Sequence, residues 1–409
     1  MVGADPIYDE LLVLEIMMTD VYLLSAARTA IGSFGGALRD ERPGELAGHV
    51  AAAAIDRAGI HADAVGNVVF GNVIHNEPRD VYAARIAAVK AGIPKETPAM
   101  TVNRLCGSGL QAVISAAQSL MLGDCEMALA GGVEIMSRAP YLLPSARWGQ
   151  KMGDAGLLDG LTGALSDPFH GYHMGITAEN VAERYGISRD DQDALALESQ
   201  RRASHAIGAG YFRDQIVPIE VMVNRKPTLF DTDEHVRSNA AIEEFARLKP
   251  VFKNGGTVTA GNSSGINDGA AAVVLSTEQA ARGANLEPLA RLVSYGHAGV
   301  DPAFMGIGPV PATRSALARA GLKVDDIDVI ESNEAFAAQA CAVSRELRLD
   351  PAKVNPNGSG ISLGHPVGAT GAILVTKLVA ELQRTGGRYG LATMCIGGGQ
   401  GIASIWERV

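Results

Sequence analysis

Short apolar runs rich in β-branched residues alternate with alanine-rich helical stretches along most of the chain. Strand-like residues 68–70 follow the helical pattern of residues 45–59, and strand-like residues 127–130 follow that of residues 110–122. Such alternation is typical of α/β folds, in which strands and helices form separate packed layers. The sequence therefore predicts an α/β protein whose first strand begins near residue 21.

A long irregular segment interrupts this alternation. The segment is rich in proline, aspartate and histidine around residues 167–173, and strand-like runs return at residues 329–331 and 392–394. We therefore predict two similar α/β halves separated by an inserted loop subdomain. The predicted boundaries are an N-terminal extension at 1–17, an N-terminal half at 18–136, the insertion at 137–262, a return segment of the first half at 263–288 and a C-terminal half at 289–409.

Composition excludes several functional classes. The 409 residues carry a formal net charge of −10, which argues against a surface that binds nucleic-acid phosphates. The four cysteines are too few and too widely spaced for a disulfide scaffold, and none has the C-x-x-C spacing of a zinc or redox site. The first twenty residues contain five acidic residues and no lysine or arginine, unlike a targeting peptide. We predict a cytoplasmic protein with no metal, no membrane span and no nucleic-acid partner.

Cys106 is the first candidate for chemistry. Residues 98–105 are apolar and residues 110–122 are helical, so Cys106 should lie at a strand-to-helix turn. The positive end of that helix should lower the pKa of the thiol and favour a thiolate nucleophile. Gly107 and Gly109 would let an acyl group approach the backbone, although a small buried cysteine at a tight turn explains the same pattern.

Two more glycine-rich segments carry candidate reactive groups. His365 lies in a loop with five glycines between residues 358 and 371, and Pro366 favours an extended backbone at the histidine, which suits a fixed general base. Cys395 precedes a glycine-rich turn at 397–401, whose N–H groups could face a developing oxyanion. Like residues 103–109, this second cysteine segment combines a cysteine with several glycines. The similarity suggests corresponding positions in the two halves.

Asn333 follows the predicted strand at 329–331 and should open a helix. Asparagine commonly caps the first turn of a helix, so a purely structural role explains its position. Capping and catalysis are compatible, because a side-chain amide at a helix terminus can also hold a water or support an oxyanion.

These segments together resemble the thiolase family, from about residue 18 to residue 409. The motifs that carry the resemblance occur in family order and are N-R-L-C-G-S-G at 103–109, the G-H-P sequence around His365 and C-I-G-G-G-Q-G at 395–401. Ser359 stands where many members have glycine. This variant is similar to the broad-range β-ketothiolases of bacteria that make polyhydroxyalkanoates.

The resemblance implies a five-layered αβαβα sandwich that acts as an acetyl-CoA acetyltransferase or β-ketothiolase. Cys106 would carry the acyl group, His365 would accept its proton, and Cys395 would remove the α-proton of a second acetyl-CoA. His365 and Asn333 would form one oxyanion hole, and the N–H groups of Cys106 and Gly397 would form another. The family also implies CoA thioesters as substrates without a cofactor, and a homotetramer built as a dimer of dimers.

The resemblance further implies contacts with the acyl group and with CoA. They fall mainly in the insertion, which would also support oligomerisation, and are Leu165, His173, Met174, Gln200, Arg237, Ala260, Ser264, Met305 and Phe336. Arg237 taken alone is better explained as a solvated surface charge. Its match to the family implies a contact with the nucleotide end of CoA.

Three other functions remain open from the sequence. A degradative thiolase for medium- and long-chain 3-ketoacyl-CoA shares all three motifs and differs only in the pocket around Leu165, His173 and Met305. A hydrolase with a Cys-His-Asn trio could use three of the candidate residues, but it gives Cys395 no role. A non-catalytic lipid carrier related to thiolases should have lost at least one reactive residue, whereas this chain keeps all of them.

Overall fold

The computed structural model of the chain describes residues 19–223 and 225–409. The predicted extension at 1–17 lies outside these residues. The strands are β1 (Val21–Arg28), β2 (Gly32–Ser33), β3 (Asn67–Gly71), β4 (Ala99–Val102), β5 (Met127–Ile135), β6 (Tyr141–Leu142), β7 (Leu158–Asp159), β8 (Ile219–Val223), β9 (Lys226–Phe230), β10 (Asn267–Thr277), β11 (Ala290–Gly299), β12 (Val329–Ser332), β13 (Tyr389–Ile396) and β14 (Gln400–Arg408). The α-helices are α1 (Pro43–Arg57), α2 (Ala83–Lys90), α3 (Ser108–Met121), α4 (Gly160–Ala164), α5 (Met174–Tyr185), α6 (Arg189–Ala209), α7 (Ile242–Arg247), α8 (Glu278–Gly283), α9 (Pro309–Ala320), α10 (Ala337–Leu347), α11 (Gly360–Leu363) and α12 (Thr370–Thr385).

A mixed sheet contains the same strand pattern twice. Its order is β12-β13-β14-β11-β1-β10-β5-β3-β4, with the short β2 beside β10. In the first half β3 runs parallel to β4 and β5, and β10 runs antiparallel to β5 and β1. In the second half β12 is parallel to β13, β14 is antiparallel to β13 and β11, and a parallel bridge from Ile330 to Val354 takes the place of β4. The prediction of two similar halves is confirmed.

Helices α3 and α12 lie between the two halves of the sheet. Their side chains Leu110 and Leu378 share one buried core with Val273 of β10 and Met394 of β13. Helices α1 and α2 cover the outer face of the first half, and α9 and α10 cover that of the second half. The order of layers is therefore α-β-α-β-α, and the predicted fold class is confirmed.

The segment between β5 and β10 holds helices α4 to α7 and two short hairpins. A buried ion pair joins it to the first strand, because the Arg28 guanidinium contacts both Asp233 oxygens at 2.7 and 2.9 Å. Helices α5 and α6 pack on α10 of the second half. The insertion thus contacts both halves, while its predicted boundaries stay a prediction.

The two central helices approach each other closely at glycines near their N-termini. A Cβ atom at Gly371 would overlap the backbone nitrogen of Leu110, and one at Gly109 would lie 2.8 Å from the nitrogen of Ala372. A Cβ at Gly107 would lie 2.5 Å from the side chain of Ile396. These glycines therefore admit neighbouring parts of the protein, and the prediction that Gly107 and Gly109 admit an acyl group is wrong.

The predicted correspondence between the two cysteine segments is also wrong. Cys106 lies between β4 and α3, whereas Cys395 is near the end of β13, just before the hairpin that leads to β14. The counterpart of the β4–α3 turn in the second half is the loop between Val354 and α12, which contains His365. The repeated fold therefore matches the turn of Cys106 with the loop of His365.

The strands and helices that the sequence predicted are present, with ends shifted by one or two residues where whole helices were predicted. The helices predicted from the sequence at residues 45–59, 110–122 and 369–383 correspond to α1, α3 and α12. The predicted strands lie within β3, β5, β12 and β13. Over residues 19–223 and 225–409, no helix is long and apolar enough to cross a membrane.

Gly371→Ala should lower the stability of the protein because the new methyl group has no space beside α3. Overpacking of a core costs about 1–3 kcal/mol, so the urea midpoint of unfolding should fall clearly. Gly208→Ala is the control, since Gly208 lies inside α6 with no atom near its Cβ position. That change should stabilise the helix by about 0.5–1 kcal/mol. Equal midpoints for the two variants would contradict the close approach.

Candidate active site

A narrow pocket brings three of the predicted reactive side chains together. Cys106, His365 and Cys395 all line it, as does the backbone of Gly397. The other lining residues come from both halves and from the insertion, and they are Val73, Leu105, Ala164, Leu165, His173, Met174, Ser264, Met305, Ala335, Phe336 and Val367. Apart from the reactive groups the walls are mostly apolar, as in pockets that bury small ligands.

Six of the nine predicted substrate contacts line this pocket, and three do not. The three are Gln200, Arg237 and Ala260. Arg237 and Ala260 are exposed, while Gln200 is buried and its Oε1 accepts a 2.8 Å hydrogen bond from the backbone N–H of Arg237. The contact of these three residues with CoA stays a prediction.

Cys106 occupies the predicted turn between a strand and a helix. The hydroxyl of Ser108, the first residue of α3, accepts a hydrogen bond from Arg104 N–H at 2.8 Å and donates one to the Leu105 carbonyl at 2.6 Å. Leu105 has a φ of 45°, which is strained for a side chain of this size. The turn therefore holds a sharp backbone conformation directly before the cysteine.

Burial dominates the electrostatics of Cys106. It raises the pKa of the thiol above its ordinary value, whereas the N–H groups of Gly397 and of Cys106 itself act in the opposite direction. The charge of Glu134 raises the pKa further. The predicted lowering of this pKa is therefore wrong for the free protein, because loss of water around the sulfur outweighs the donors that face it.

His365 is held in one tautomer by a residue that the sequence analysis missed. Its Nδ1 lies 2.6 Å from the hydroxyl of Thr370, and that hydroxyl donates its own proton to the Pro366 carbonyl at 2.9 Å. Nδ1 must therefore carry the ring proton, which leaves the lone pair of Nε2 available as a base. Burial lowers the pKa of His365 to about 4, so the ring is neutral at pH 7. The sequence contains one indication of this role, a hydroxyl residue five positions after the histidine, at the start of α12.

Asn333 lies behind His365 and does not cap a helix. Helix α10 begins at Ala337 with Phe336 in the capping position, so the capping prediction is wrong. The Asn333 side chain is buried, and its Nδ2 lies 3.4 Å from His365 Nε2. Among the described residues its Oδ1 has no hydrogen-bond partner. A buried amide oxygen in this position suits a water or another donor next to the histidine.

The Ser359 variant joins the segments that carry these two residues. Its hydroxyl donates a 3.2 Å hydrogen bond to the carbonyl of Ser332, the residue before Asn333. Ser359 itself belongs to the loop that continues to His365. Glycine at this position would lack the bond.

Cys395 lies close to the first thiol and is almost fully buried. Burial raises the pKa of its thiol strongly, and the charge of Cys106 adds to this effect. The following hairpin turns through Gly398 and Gly399, with φ of 80° and 86°. A Cβ atom on Gly397 would lie 2.8 Å from the Met174 side chain, so glycine keeps this part of the pocket open.

Aromatic rings hold part of the pocket wall in place. The rings of His173 and Phe252 stack with centroids 4.7 Å apart, and Phe252 meets Phe336 edge to face. His173 Nδ1 also accepts a hydrogen bond from Gly175 N–H at the start of α5. Within the part of the chain that the structure describes, no group of three His, Cys, Asp or Glu side chains could hold a metal ion.

The repeated halves and the pocket with two thiols define a thiolase. The family model described as "Thiolase, N-terminal domain" matches residues 21–279, and "Thiolase, C-terminal domain" matches residues 286–408. The chain belongs to the thiolase family.

Named relatives are similar over almost the full length of the chain. The beta-ketothiolase BktB of Cupriavidus necator is 64% identical over 394 residues, which cover 96% of this chain and all of the relative. The crystal structure of human mitochondrial 3-ketoacyl-CoA thiolase has a TM-score of 0.94 and 45% identity, covering 96% of this chain and all of that one. The acetyl-CoA acetyltransferase of Bacillus anthracis also has a TM-score of 0.94, with 47% identity over 96% of this chain and 99% of that one.

Thr370→Val should slow the reaction of Cys106 with iodoacetamide at pH 7. Valine cannot accept a hydrogen bond from the Nδ1–H of His365, so the ring loses the partner that fixes its tautomer. We expect a decrease of about tenfold, less than the roughly 100- to 10,000-fold contribution of a general base, because the histidine itself is retained. Peptide mass spectrometry measures the rate at Cys106. Thr376→Val, which removes another buried hydroxyl from α12, should leave the rate unchanged.

The pH dependence of the same reaction tests the thiol directly. Because the pKa of Cys106 is raised, only a small fraction is thiolate at pH 7, and the alkylation rate should still rise above about pH 10, where an ordinary thiol with a pKa of about 8.5 has levelled off. His365 stays neutral from pH 6 upward and adds no step. A rate that is already constant at pH 7 would instead support the thiolate that the helix end predicted.

Proposed function

We propose that this protein is an acyl-CoA C-acyltransferase that condenses acetyl-CoA with acetyl-CoA or another short-chain acyl-CoA. The reverse reaction is thiolysis of the 3-ketoacyl-CoA by CoA. Both directions pass through an acyl group on Cys106. The observation that carries the proposal is that a single pocket holds the buried thiol of Cys395, the partly buried thiol of Cys106, one neutral histidine and the Gly397 N–H.

In the first half-reaction Cys106 attacks the thioester carbonyl. His365 Nε2 accepts the thiol proton, the sulfur forms a bond to the carbonyl carbon, and the oxyanion is held by the N–H groups of Cys106 and Gly397. Collapse of this intermediate breaks the bond to CoA, which leaves with the proton from His365. Covalent catalysis of this kind requires the base and the oxyanion donors to be in place before substrate binds.

In the second half-reaction Cys395 acts as the base towards carbon. Cys395 gives its thiol proton to His365 Nε2, and the resulting thiolate removes an α-proton from acetyl-CoA. The carbanion attacks the acyl carbon and expels the Cys106 sulfur, which takes up the proton from His365. The enolate oxygen is stabilised by His365, once Nε2 carries a proton, and by a water held by Asn333. The raised pKa of Cys395 fits this role, because a thiolate of higher pKa is a stronger base.

The apolar wall that the insertion and the C-terminal half form together receives the acyl group and the pantetheine arm. Leu165, Met305 and Phe336 lie in the pocket with the thiols. The exposed Arg237, supported by Gln200, contacts the nucleotide end of CoA outside the pocket. The reaction takes CoA thioesters as substrates and needs no cofactor.

Short acyl chains are favoured over long ones. The space beside the thiols encloses only about 60 Å³, which favours a short acyl group at this point. The 64% identity to a beta-ketothiolase exceeds the 45% identity to a 3-ketoacyl-CoA thiolase and supports the same assignment. A Cys-His-Asn hydrolase is disfavoured because it has no use for a second thiol.

The proposal includes a homotetramer in the cytoplasm, assembled as a dimer of dimers, without a nucleic-acid partner. Apolar side chains of the insertion support assembly with further copies of the chain. Trp148 is 85% exposed and Met152 is 93% exposed, and Tyr141, Leu157 and Leu158 lie nearby in the same segment. Exposed apolar groups of this size usually mark an interaction surface.

Cysteine variants separate the two half-reactions. Cys395→Ala should release CoA from acetyl-CoA and retain an acetyl group on Cys106, but it should form no acetoacetyl-CoA. Cys106→Ala should do neither. Cys125→Ala removes a thiol outside the pocket and should behave as the wild type. Mass spectrometry of the acyl-enzyme and measurement of released CoA follow each step.

The same measurement defines the acyl chain. With equal concentrations of acetyl-, propionyl- and decanoyl-CoA, the Cys106 peptide should carry mainly two- and three-carbon groups. A predominance of the decanoyl group would favour the degradative thiolase. Hydrolysis of esters or peptides that survives Cys395→Ala and does not depend on CoA would favour the hydrolase.

A further inference from the structure

A fully buried carboxylate connects the two loops that carry Cys106 and His365. Glu134 lies on β5 with none of its surface exposed. Its Oε1 accepts hydrogen bonds from the Ile74 backbone N–H at 3.0 Å and from the Asn72 amide at 3.1 Å. Its Oε2 accepts from the backbone N–H groups of Val73 at 3.0 Å and Gly368 at 2.9 Å. No cation takes part in these contacts.

Hydrogen bonds connect Glu134 to the turn of Cys106 through residues 72–74. The segment that it holds, residues 72–74, follows β3, and the backbone N–H of Asn72 donates to the carbonyl of Val102 at the end of β4. The Val73 carbonyl accepts a longer, 3.4 Å hydrogen bond from the amide of Asn103, whose Oδ1 accepts from Leu105 N–H at 2.9 Å. The strained residue before Cys106 is thus connected to Glu134.

The hydrogen bond from Gly368 connects Glu134 to the loop of His365. Gly368 follows the His-Pro sequence by two residues, and a Cβ atom there would lie 2.5 Å from Glu134 Oε2. A Cβ atom on Gly132, two residues before Glu134, would overlap the Gly368 carbonyl. Val73 and Val367, each next to one of these contacts, both line the pocket.

We propose that Glu134 is a positioning residue that fixes the nucleophile turn and the histidine loop relative to each other. It acts through backbone N–H groups and does not touch the substrate. The proposal rests on the proposed function for its kinetic consequence, whereas its geometric consequence is independent of any reaction.

The contacts also determine the charge of Glu134. Three backbone N–H groups and one amide surround its two oxygens, so a carboxylic proton would find no acceptor there. Burial raises the pKa of this carboxyl to about 8, although the backbone donors counteract the rise. Above that pH, where Cys106 titrates, the negative charge of Glu134 raises the pKa of the thiol.

Glu134→Gln tests the proposal, because the amide keeps the size of the side chain but turns an NH₂ group towards two N–H donors. The rate constant for acetylation of Cys106 at saturating acetyl-CoA should fall about 10- to 100-fold, as for a small misplacement of reacting groups. The KM for acetyl-CoA should change by less than about threefold, since the proposed CoA contacts lie elsewhere. Hydrogen exchange should accelerate at Val73, Ile74 and Gly368.

Alkylation of Cys106 by iodoacetamide supplies a measurement that needs no acyl-CoA. Its pH midpoint should move to lower pH in Glu134→Gln, because the negative charge near the thiol is lost. Failure of the proposed function would leave this shift and the faster hydrogen exchange in place. Absence of both changes would overturn the positioning role itself.

Two further variants test whether the slower acetylation of Glu134→Gln results only from a loss of stability. Asp80→Asn also removes a buried carboxylate that accepts backbone hydrogen bonds, from Asn76 and Glu77, but it reaches neither loop. It should lower the melting temperature without changing acetylation or the alkylation midpoint. Asn103→Ala breaks the connection at an exposed position and should slow acetylation while the protein folds normally. Equal kinetic effects of Asp80→Asn and Glu134→Gln would contradict the proposal.

Discussion

The close approach of α3 and α12 is the constraint on which the site depends. Each helix follows a loop with a reactive side chain, Cys106 before α3 and His365 before α12. Gly109 and Gly371 let the N-terminal turns of the helices meet without intervening side chains. Because the two halves repeat one fold around this contact, their corresponding loops converge on the same point. The pocket is a consequence of that convergence.

Burial sets the chemistry within the pocket. Loss of water raises the pKa of both thiols and lowers that of His365, so all three groups are neutral in the free protein. Reactivity must then come from fixed partners and not from a thiolate present in advance. Thr370 determines the tautomer of the histidine, and the Gly397 N–H faces the Cys106 sulfur. Such prearranged dipoles are most effective where water is excluded.

The residue types and their order were predictable from the sequence, whereas their partners were not. Alternating patterns predicted the strands and helices of both halves, because local periodicity reflects the face that each element buries. Asn333 was expected to cap a helix, but α10 begins four residues later. Gly107 and Gly109 were expected to serve the substrate, but they serve the packing of the protein. Thr370 and Glu134 were missed, since their roles depend on contacts between distant segments.

The sequence by itself determined the fold class, the family and the three side chains that line the pocket as candidates for chemistry. These follow from local periodicity and from motifs in which the residue types carry the information. Only the tertiary structure decided the protonation of those groups, the tautomer of His365 and the carboxylate that joins the two loops. The physical reason is that desolvation and hydrogen bonding depend on which distant segments meet, and no local pattern records that.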